Sequence, residues 1–219
     1  MGQATKLTIV FDNDARVGLK SGWGFSCLIE ENVLFDTGAD LSTLRYNMQR
    51  LRIDLQEIEA IVLSHAHGDH TGGIEIVGQL DDVRVFVPRS FFAPLKKKLS
   101  RFRNVEMVEV SDTIDVAEGI ASTGEIGRIG EQSLMVQTPK GLVIVTGCSH
   151  PGLDTIMNLA KDFGTIYGVA GGFHGFDKLE ILRDLGMIVP CHCTRLKKRI
   201  LADFPTTSLQ CAAGNVFNI

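Results

Sequence analysis

The strongest constraint on the fold of this chain is a segment that places three histidines and one carboxylate within six positions. The segment reads Ser-His-Ala-His-Gly-Asp-His-Thr-Gly-Gly over 64–73 and directly follows a short apolar run. Imidazole and carboxylate groups bind borderline divalent metals. Because alternate residues of extended backbone point to the same side, we expect His65 and His67 to bind one ion. Asp69 and His70 then face elsewhere, which predicts a second ion at the end of the same strand.

The other three histidines also follow apolar runs, so all six are expected near the carboxyl ends of strands. In α/β proteins, that edge of the sheet is where binding sites are built. The pattern therefore favours one shared site over histidines scattered on the surface. The three are His150 after the run 142–145, His174 after 166–170 and His192 after 187–190.

Length and composition limit the class of protein. A chain of 219 residues without a linker or low-complexity tract predicts a single domain over 1–219. A net charge of −4 argues against a general nucleic-acid binder, and no apolar stretch is long enough to predict a membrane span. Five irregularly spaced cysteines argue against a disulfide framework and favour the reducing cytoplasm. Cys191 and Cys193 are expected to be buried apolar side chains that point away from His192.

The apolar periodicity predicts two similar halves, each passing from β-hairpins to strand–helix units. Such halves place two mixed sheets face to face with helices outside. Short strands are expected over 105–145, and the end, 214–218, is a last strand or a tail. The other predicted strands are 7–11, 25–29, 33–35, 60–64, 83–87, 166–170 and 187–190. The predicted helices are 41–51, one beginning near 69, 90–99, 154–163, 177–185 and 195–203.

Phe35-Asp36-Thr37-Gly38, followed by the histidine segment 64–73, resembles the motifs of the metallo-β-lactamase superfamily. The order of the predicted elements is also similar. The resemblance implies an α/β (α+β) fold, the four-layer αββα sandwich, and two divalent ions, zinc first with manganese or iron as alternatives. His174 competes for a place at either ion and is otherwise, with Asp69, a candidate catalytic residue. The implied ligands are His65, His67 and His150 for the first ion and Asp69, His70 and His192 for the second.

The chain departs from the superfamily pattern at one position. Many members have Gly-Asp after the strand that corresponds to 142–145, and that aspartate bridges the two metals, whereas this chain has Gly147-Cys148. Cys148 as a thiolate, or a water alone, can take the bridging place. The resemblance also implies that Asp36 supports a ligand by hydrogen bonding. The candidate carboxylates that could replace the missing one are Glu125, Asp154 and Asp177.

Later motifs are similar to those of the 7,8-dihydropterin-6-methyl-4-(β-D-ribofuranosyl)aminobenzene-5′-phosphate synthase subfamily. These motifs are Gly-Cys-Ser-His-Pro-Gly over 147–152, Gly-Gly-Phe-His over 171–174 and Pro-Cys-His-Cys-Thr over 190–194. The resemblance implies that a dihydropterin diphosphate is joined to an aminobenzene ribose phosphate and that pyrophosphate leaves. A general hydrolase of phosphodiesters, lactones or thioesters is the first alternative. A ligand or redox sensor that relies on Cys148 is the second.

Four residues are candidates for contacts with a phosphorylated small-molecule substrate. Trp23 lies in a glycine-flanked loop and can either stack on a flat ring or tuck onto the core. Gly171 and Gly172 can present backbone N–H groups to an anion. Arg195 is the basic residue nearest to His192 among several that follow it.

Overall fold

Thirteen strands form two mixed sheets within residues 5–219, the part of the chain that this computed structural model describes. Seven strands make the first sheet, in the order 13-1-2-3-4-5-6, and six make the second, in the order 12-11-10-9-8-7. In chain order the strands are β1 (Lys6–Phe11), β2 (Ser26–Ile29), β3 (Val33–Phe35), β4 (Ala60–Val62), β5 (Val83–Pro88), β6 (Val105–Val110), β7 (Ile114–Ala117), β8 (Ile120–Ser122), β9 (Leu134–Thr138), β10 (Gly141–Thr146), β11 (Ile166–Gly172), β12 (Met187–Cys191) and β13 (Val216–Asn218).

Each sheet combines an antiparallel part with a parallel part. In the first sheet β13, β1, β2 and β3 pair antiparallel, and β3 to β6 pair parallel. In the second sheet β7 to β10 pair antiparallel, and β10, β11 and β12 pair parallel. Parallel strands end at a common edge, so this topology gathers the loops after β10, β11 and β12.

The described residues contain five α-helices; four pack apolar side chains against the outer faces of the two sheets, and the short one that begins at Gly68 lies at the edge where the histidines gather. The first is capped by Asp40, whose carboxylate accepts a hydrogen bond from the Thr43 N–H at 2.7 Å, as the sequence predicts. None of the helices between residues 5 and 219 has the length and apolar character needed to cross a bilayer. The helices are α1 (Leu41–Leu51), α2 (Gly68–Thr71), α3 (Ala93–Leu99), α4 (Leu153–Ala160) and α5 (Lys197–Asp203).

Strand alternation divides the apolar side chains into three layers. Val62 of β4 and Val189 of β12 belong to the central cluster, which lies between the two sheets. Ile61, the neighbour of Val62, points outward and packs in the layer beneath α1, while Ile144 packs in the layer beneath α4. Burial of these side chains removes apolar surface from water on both faces of each sheet, the main stabilising contribution. The predicted four-layer αββα arrangement is therefore confirmed.

Some predicted helices are shorter in the structure. The segment 177–185 forms only a 3₁₀ turn, Leu179–Leu182. Leu179, Leu182 and Leu185 are buried at intervals of three residues, which is the 3₁₀ period rather than the α-helical one. The helix expected from residue 69 is the short α2, because Gly72 packs directly against the Ala39 carbonyl and the chain turns there. The end of the chain is a strand, β13, paired with β1.

Cys191 is buried, as expected, but its sulfur is not free, and the expectation of a buried Cys193 is wrong. Cys191 is joined by a disulfide to Cys211, which ties the end of β12 to the segment before β13. Cys193 is only partly buried, and its sulfur lies 3.2 Å from that of Cys148. The alternation that predicted the burial of Cys193 fails because the strand ends at Cys191 and His192 adopts a φ of 42°.

Candidate metal centre

The six histidines converge at one edge of the two sheets. His65 to His70 follow β4, and the other three follow β10, β11 and β12 in turn. The ring centroids form a continuous chain of neighbours. The separations are 4.5 Å for His65–His67, 4.7 Å for His65–His150, 4.3 Å for His65–His70, 5.1 Å for His70–His192 and 4.9 Å for His150–His174.

The first donor set consists of His65, His67, Cys148 and His150. One donor atom each from His65, Cys148 and His150 lies within 4.8 Å of the others. His67 Nδ1 lies 3.0 Å from His65 Nε2, and the His67 ring is exposed. The set therefore places nitrogen donors and one sulfur donor around one point, which is the arrangement that binds an ion.

The second donor set consists of Asp69, His70, Cys148 and His192. One donor atom each from His70, Cys148 and His192 lies within 4.8 Å of the others. Asp69 Oδ2 lies 3.1 Å from His192 Nε2 and 3.9 Å from His70 Nε2. Because Cys148 belongs to both sets, its sulfur occupies the position between them.

Asp36 orients His70. It is fully buried with a φ of 56°, a left-handed conformation that few non-glycine residues adopt. Its Oδ1 accepts a hydrogen bond from the Ser64 N–H at 2.7 Å, and its Oδ2 lies 2.6 Å from His70 Nδ1. Occupying Nδ1 leaves Nε2 of His70 for the second donor set.

Glu131 supports the first donor set, a role that no pattern in the sequence indicates. Its Oε1 accepts hydrogen bonds from the N–H groups of Cys148 and Ser149, and its Oε2 accepts one from His150 N–H, each at 2.8 Å. Oε2 also lies 2.8 Å from His150 Nδ1. One buried carboxylate thus fixes the loop after β10 and the orientation of a candidate ligand.

The three carboxylates predicted as possible replacements for the bridging aspartate lie elsewhere. Glu125 accepts a hydrogen bond from the Ser90 N–H at 2.6 Å, and Asp154 pairs with Lys178 at 2.5 Å. Asp177 is exposed in the loop after β11. None of the three lies in either donor set, because each belongs to a turn, a loop or an ion pair elsewhere in the described structure.

His192 is positioned by the loop after β1, a contact that the sequence pattern does not predict. Its N–H donates to Asp12 Oδ1 at 2.7 Å, and its Nδ1 lies 2.9 Å from Asn13 Oδ1. Asp12 is fully buried. The free Nε2 then faces Asp69.

The surroundings of the donor residues shift their pKa values. Burial, and then the charge of His70, lower the pKa of His65 to about 2, so its imidazole is neutral near pH 7. Burial alone would raise the pKa of Glu131, but the hydrogen bond from the His150 side chain and those from the Cys148 and His150 N–H groups lower it to about 2. Contact with Cys148 lowers the pKa of Cys193 to about 6, and contact with Cys193 raises the pKa of Cys148. Neutral imidazoles, and thiols that can lose their protons, are the forms in which these side chains bind a divalent ion.

The pKa of Glu131 predicts a pH dependence for the metal-free protein. Its ordinary value is 4.5 and its folded value about 2, so its stabilising contribution is complete above pH 4.5 and is lost as pH falls towards 2. We expect the difference in unfolding free energy between the wild type and Glu131→Gln to shrink from about pH 6 to about pH 3. Urea unfolding at each pH measures it, and a difference that stays constant would contradict the assignment.

The four candidate substrate residues have different surroundings. Trp23 is 63% exposed, and its ring centroid lies 4.9 Å from that of His192, so the alternative that it tucks onto the core is wrong. Arg195 is exposed, and its N–H donates to the His174 carbonyl at 2.9 Å. The N–H of Gly172 donates to the Gly147 carbonyl at 3.1 Å, so it is not free to bind an anion. A Cβ on Gly171 would overlap the Thr146 carbonyl, so close strand packing explains that glycine.

Comparison with known families agrees with this geometry. A family model described as the metallo-beta-lactamase superfamily matches residues 24–192. This chain belongs to that superfamily. The matched region includes the loops after β4, β10 and β11, which carry most of the donor residues, and it ends at His192.

One curated relative and two solved structures are similar to this chain. The 7,8-dihydropterin-6-methyl-4-(beta-D-ribofuranosyl)-aminobenzene-5′-phosphate synthase of Methanocaldococcus jannaschii is 28% identical, over 77% of each chain. The crystal structure of Tm1679, described as a metal-dependent hydrolase of the beta-lactamase superfamily, has a TM-score of 0.82 at 25% identity, covering 98% of this chain and 99% of that one. A diphosphatase of the PhnP family has a TM-score of 0.69 at 16% identity, covering 99% and 97%, and shows the shared fold.

Proposed function

We propose that this protein is a metal-dependent enzyme that acts on a phosphorylated small molecule, with a dihydropterin-type synthase reaction that releases pyrophosphate. The observation that carries the proposal is the pair of donor sets that share Cys148. The synthase relative, similar over 77% of this chain, supports the substrate class. In this proposal the two ions are divalent, with zinc first and manganese or iron as alternatives.

The residues divide into ligands and the groups that hold them. The first ion would be held by the first donor set and the second ion by the second, with Cys148 in the bridging place. When bound, such ions neutralise charge on a diphosphate and act as Lewis acids. Asp36, Glu131 and Asp12 hold the loops so that the donors do not reorganise when the substrate arrives.

The chain's own groups can supply the remaining contacts. His174 is exposed with its ring 4.9 Å from that of His150, so it lies at the mouth of the centre, where a substrate can reach it. Arg195 follows on the same side and can contact a phosphate. Trp23, exposed against His192, offers a face on which a flat ring can stack.

Trp23→Ala is expected to weaken substrate binding without removing the centre. Loss of one stacking contact predicts a KM roughly 3- to 10-fold higher, with kcat changed much less. Steady-state kinetics on the coupling reaction measure both constants. Phe163, 50% exposed after α4 on the outer face, is the matched control, and Phe163→Ala should leave KM unchanged. Equal KM values in all three proteins would contradict the role of Trp23.

The synthase reaction can be tested directly. The protein is loaded in parallel with zinc, manganese or iron and incubated with the dihydropterin diphosphate and the aminobenzene ribose phosphate. Mass spectrometry should detect the coupled product, with one pyrophosphate released for each coupling. Absence of coupling with every metal, in protein shown to contain metal, would overturn the synthase proposal.

A general hydrolase is the second candidate, favoured by the likeness to Tm1679 at a TM-score of 0.82. The two candidates differ in the acceptor, which is water in one and an aromatic compound in the other. A panel of phosphodiesters, lactones and thioesters, assayed without the aminobenzene compound, separates them. Turnover of one such ester, together with no product in the separate coupling assay, would favour the hydrolase.

A further inference from the structure

A third donor group lies beside the two sets already described. It consists of Cys148, His174 and Cys193, whose donor atoms all lie within 4.8 Å of one another. The Cys148 and Cys193 sulfurs are 3.2 Å apart. The three residues follow β10, β11 and β12, the three parallel strands of the second sheet. The group is therefore a direct product of that topology.

The backbone around this group is shaped to bring the sulfurs together. A Cβ on Gly172 would lie 2.7 Å from the Cys193 sulfur, so only glycine leaves room for it there. His174 and His192, on either side of the contact, both adopt a φ of 42°. Such left-handed conformations cost free energy in non-glycine residues and are maintained by the surrounding contacts.

Hydrogen bonds clamp the two loops that carry His174 and Cys193. Thr194 Oγ1 accepts from the Phe173 N–H at 2.9 Å and donates to the Cys191 carbonyl at 2.7 Å. The Arg195 N–H donates to the His174 carbonyl at 2.9 Å. These bonds fix the distance between the loops, so the donors are held together before any ligand binds.

The group is also accessible. Cys148 is buried, Cys193 is partly buried and His174 is exposed, so the donors run from the interior to the surface. Two thiolates and one imidazole form a softer donor set than the imidazoles and carboxylate nearby, and soft sets prefer ions such as Zn²⁺ and Cd²⁺.

We propose that Cys148, Cys193 and His174 form a thiolate-rich metal subsite at the mouth of the centre. The proposal deepens the proposed metal centre and rests on it, because Cys148 is shared. An ion entering the subsite displaces the thiol protons to solvent and gains two sulfur ligands and one nitrogen ligand. The consequence is that Cys193 is a metal ligand, a role outside the histidine–aspartate pattern.

Cobalt and cadmium binding test the subsite. Metal-free protein is titrated with Co²⁺ and then with Cd²⁺, while the sulfur-to-metal charge-transfer absorption is recorded. Cys193→Ser is expected to reduce this absorption to about half that of the wild type, because one of two thiolate ligands is lost. Cys27, a buried cysteine in β2, is the matched control, and Cys27→Ser should leave the absorption unchanged.

Unchanged absorption in Cys193→Ser, with its complete loss in Cys148→Ser, would overturn the subsite and leave the metal centre in place. Absence of any bound metal in the wild type would instead contradict the proposed function. A second measurement needs no variant. Bound Cd²⁺ should slow the alkylation of Cys193 by iodoacetamide, followed by mass spectrometry, and an unchanged rate in metal-loaded protein would also overturn the proposal.

Discussion

Replacing Glu131 by alanine is expected to lower the unfolding free energy of the metal-free protein by roughly 3–5 kcal/mol. The carboxylate is 1% exposed and accepts hydrogen bonds from Cys148, Ser149 and His150. Alanine leaves those N–H groups buried without acceptors, and each unsatisfied group lowers the free energy of unfolding. Urea unfolding monitored by circular dichroism gives the value.

Glu125→Ala is the matched control for this prediction. Glu125 is also an acidic residue that accepts a backbone hydrogen bond, but it is only partly buried and has one such partner, Ser90. We expect its replacement to cost less than about 1 kcal/mol. If the two alanine variants were equally stable, Glu131 would not be the anchor of the loop after β10.

His67→Ala is expected to reduce activity by at least about 100-fold while barely changing stability. The ring is exposed, so its removal leaves no cavity in the core, yet its Nδ1 lies 3.0 Å from His65 Nε2 in the first donor set. The large loss follows because a ligand is removed from the first ion. Activity and metal content are measured on the same preparation, with unfolding as the check on the fold.

Glu75→Ala is the control for His67→Ala. Glu75 is exposed in the 3₁₀ segment that follows α2, where it pairs with Lys98 at 3.1 Å. Its replacement should leave both activity and metal content unchanged. A His67→Ala protein that kept full activity and full metal content would remove His67 from the first donor set.

The sequence predicted the histidine positions because their signals are local. Each histidine follows an apolar strand, and strand ends can be found from periodicity without knowledge of the partners. The helix after Asp40 was predicted for the same reason, since its cap and its apolar spacing lie within a few residues. The four-layer arrangement followed from the resemblance and from the order of these local elements.

The missed residues depend on contacts between distant parts of the chain. Asp12 and His192 are 180 positions apart, and Glu131 lies 17 positions from Cys148. An isolated acidic residue in a turn carries no sequence signal for such a role, so Glu125 was as plausible as Glu131. The Cys191–Cys211 pairing was missed because it depends on how the segment before β13 returns to β12.

The most direct test of the central claim, a two-ion centre with Cys148 between the ions, is an anomalous-scattering map. Crystals grown with Zn²⁺ are measured on both sides of the zinc absorption edge, with elemental analysis of the same protein. We expect one peak in the first donor set and one in the second, on either side of the Cys148 sulfur, and a further peak beside Cys193 and His174 from the thiolate-rich subsite. A map with a peak in only one of these two sets, or in neither, would contradict the two-ion centre.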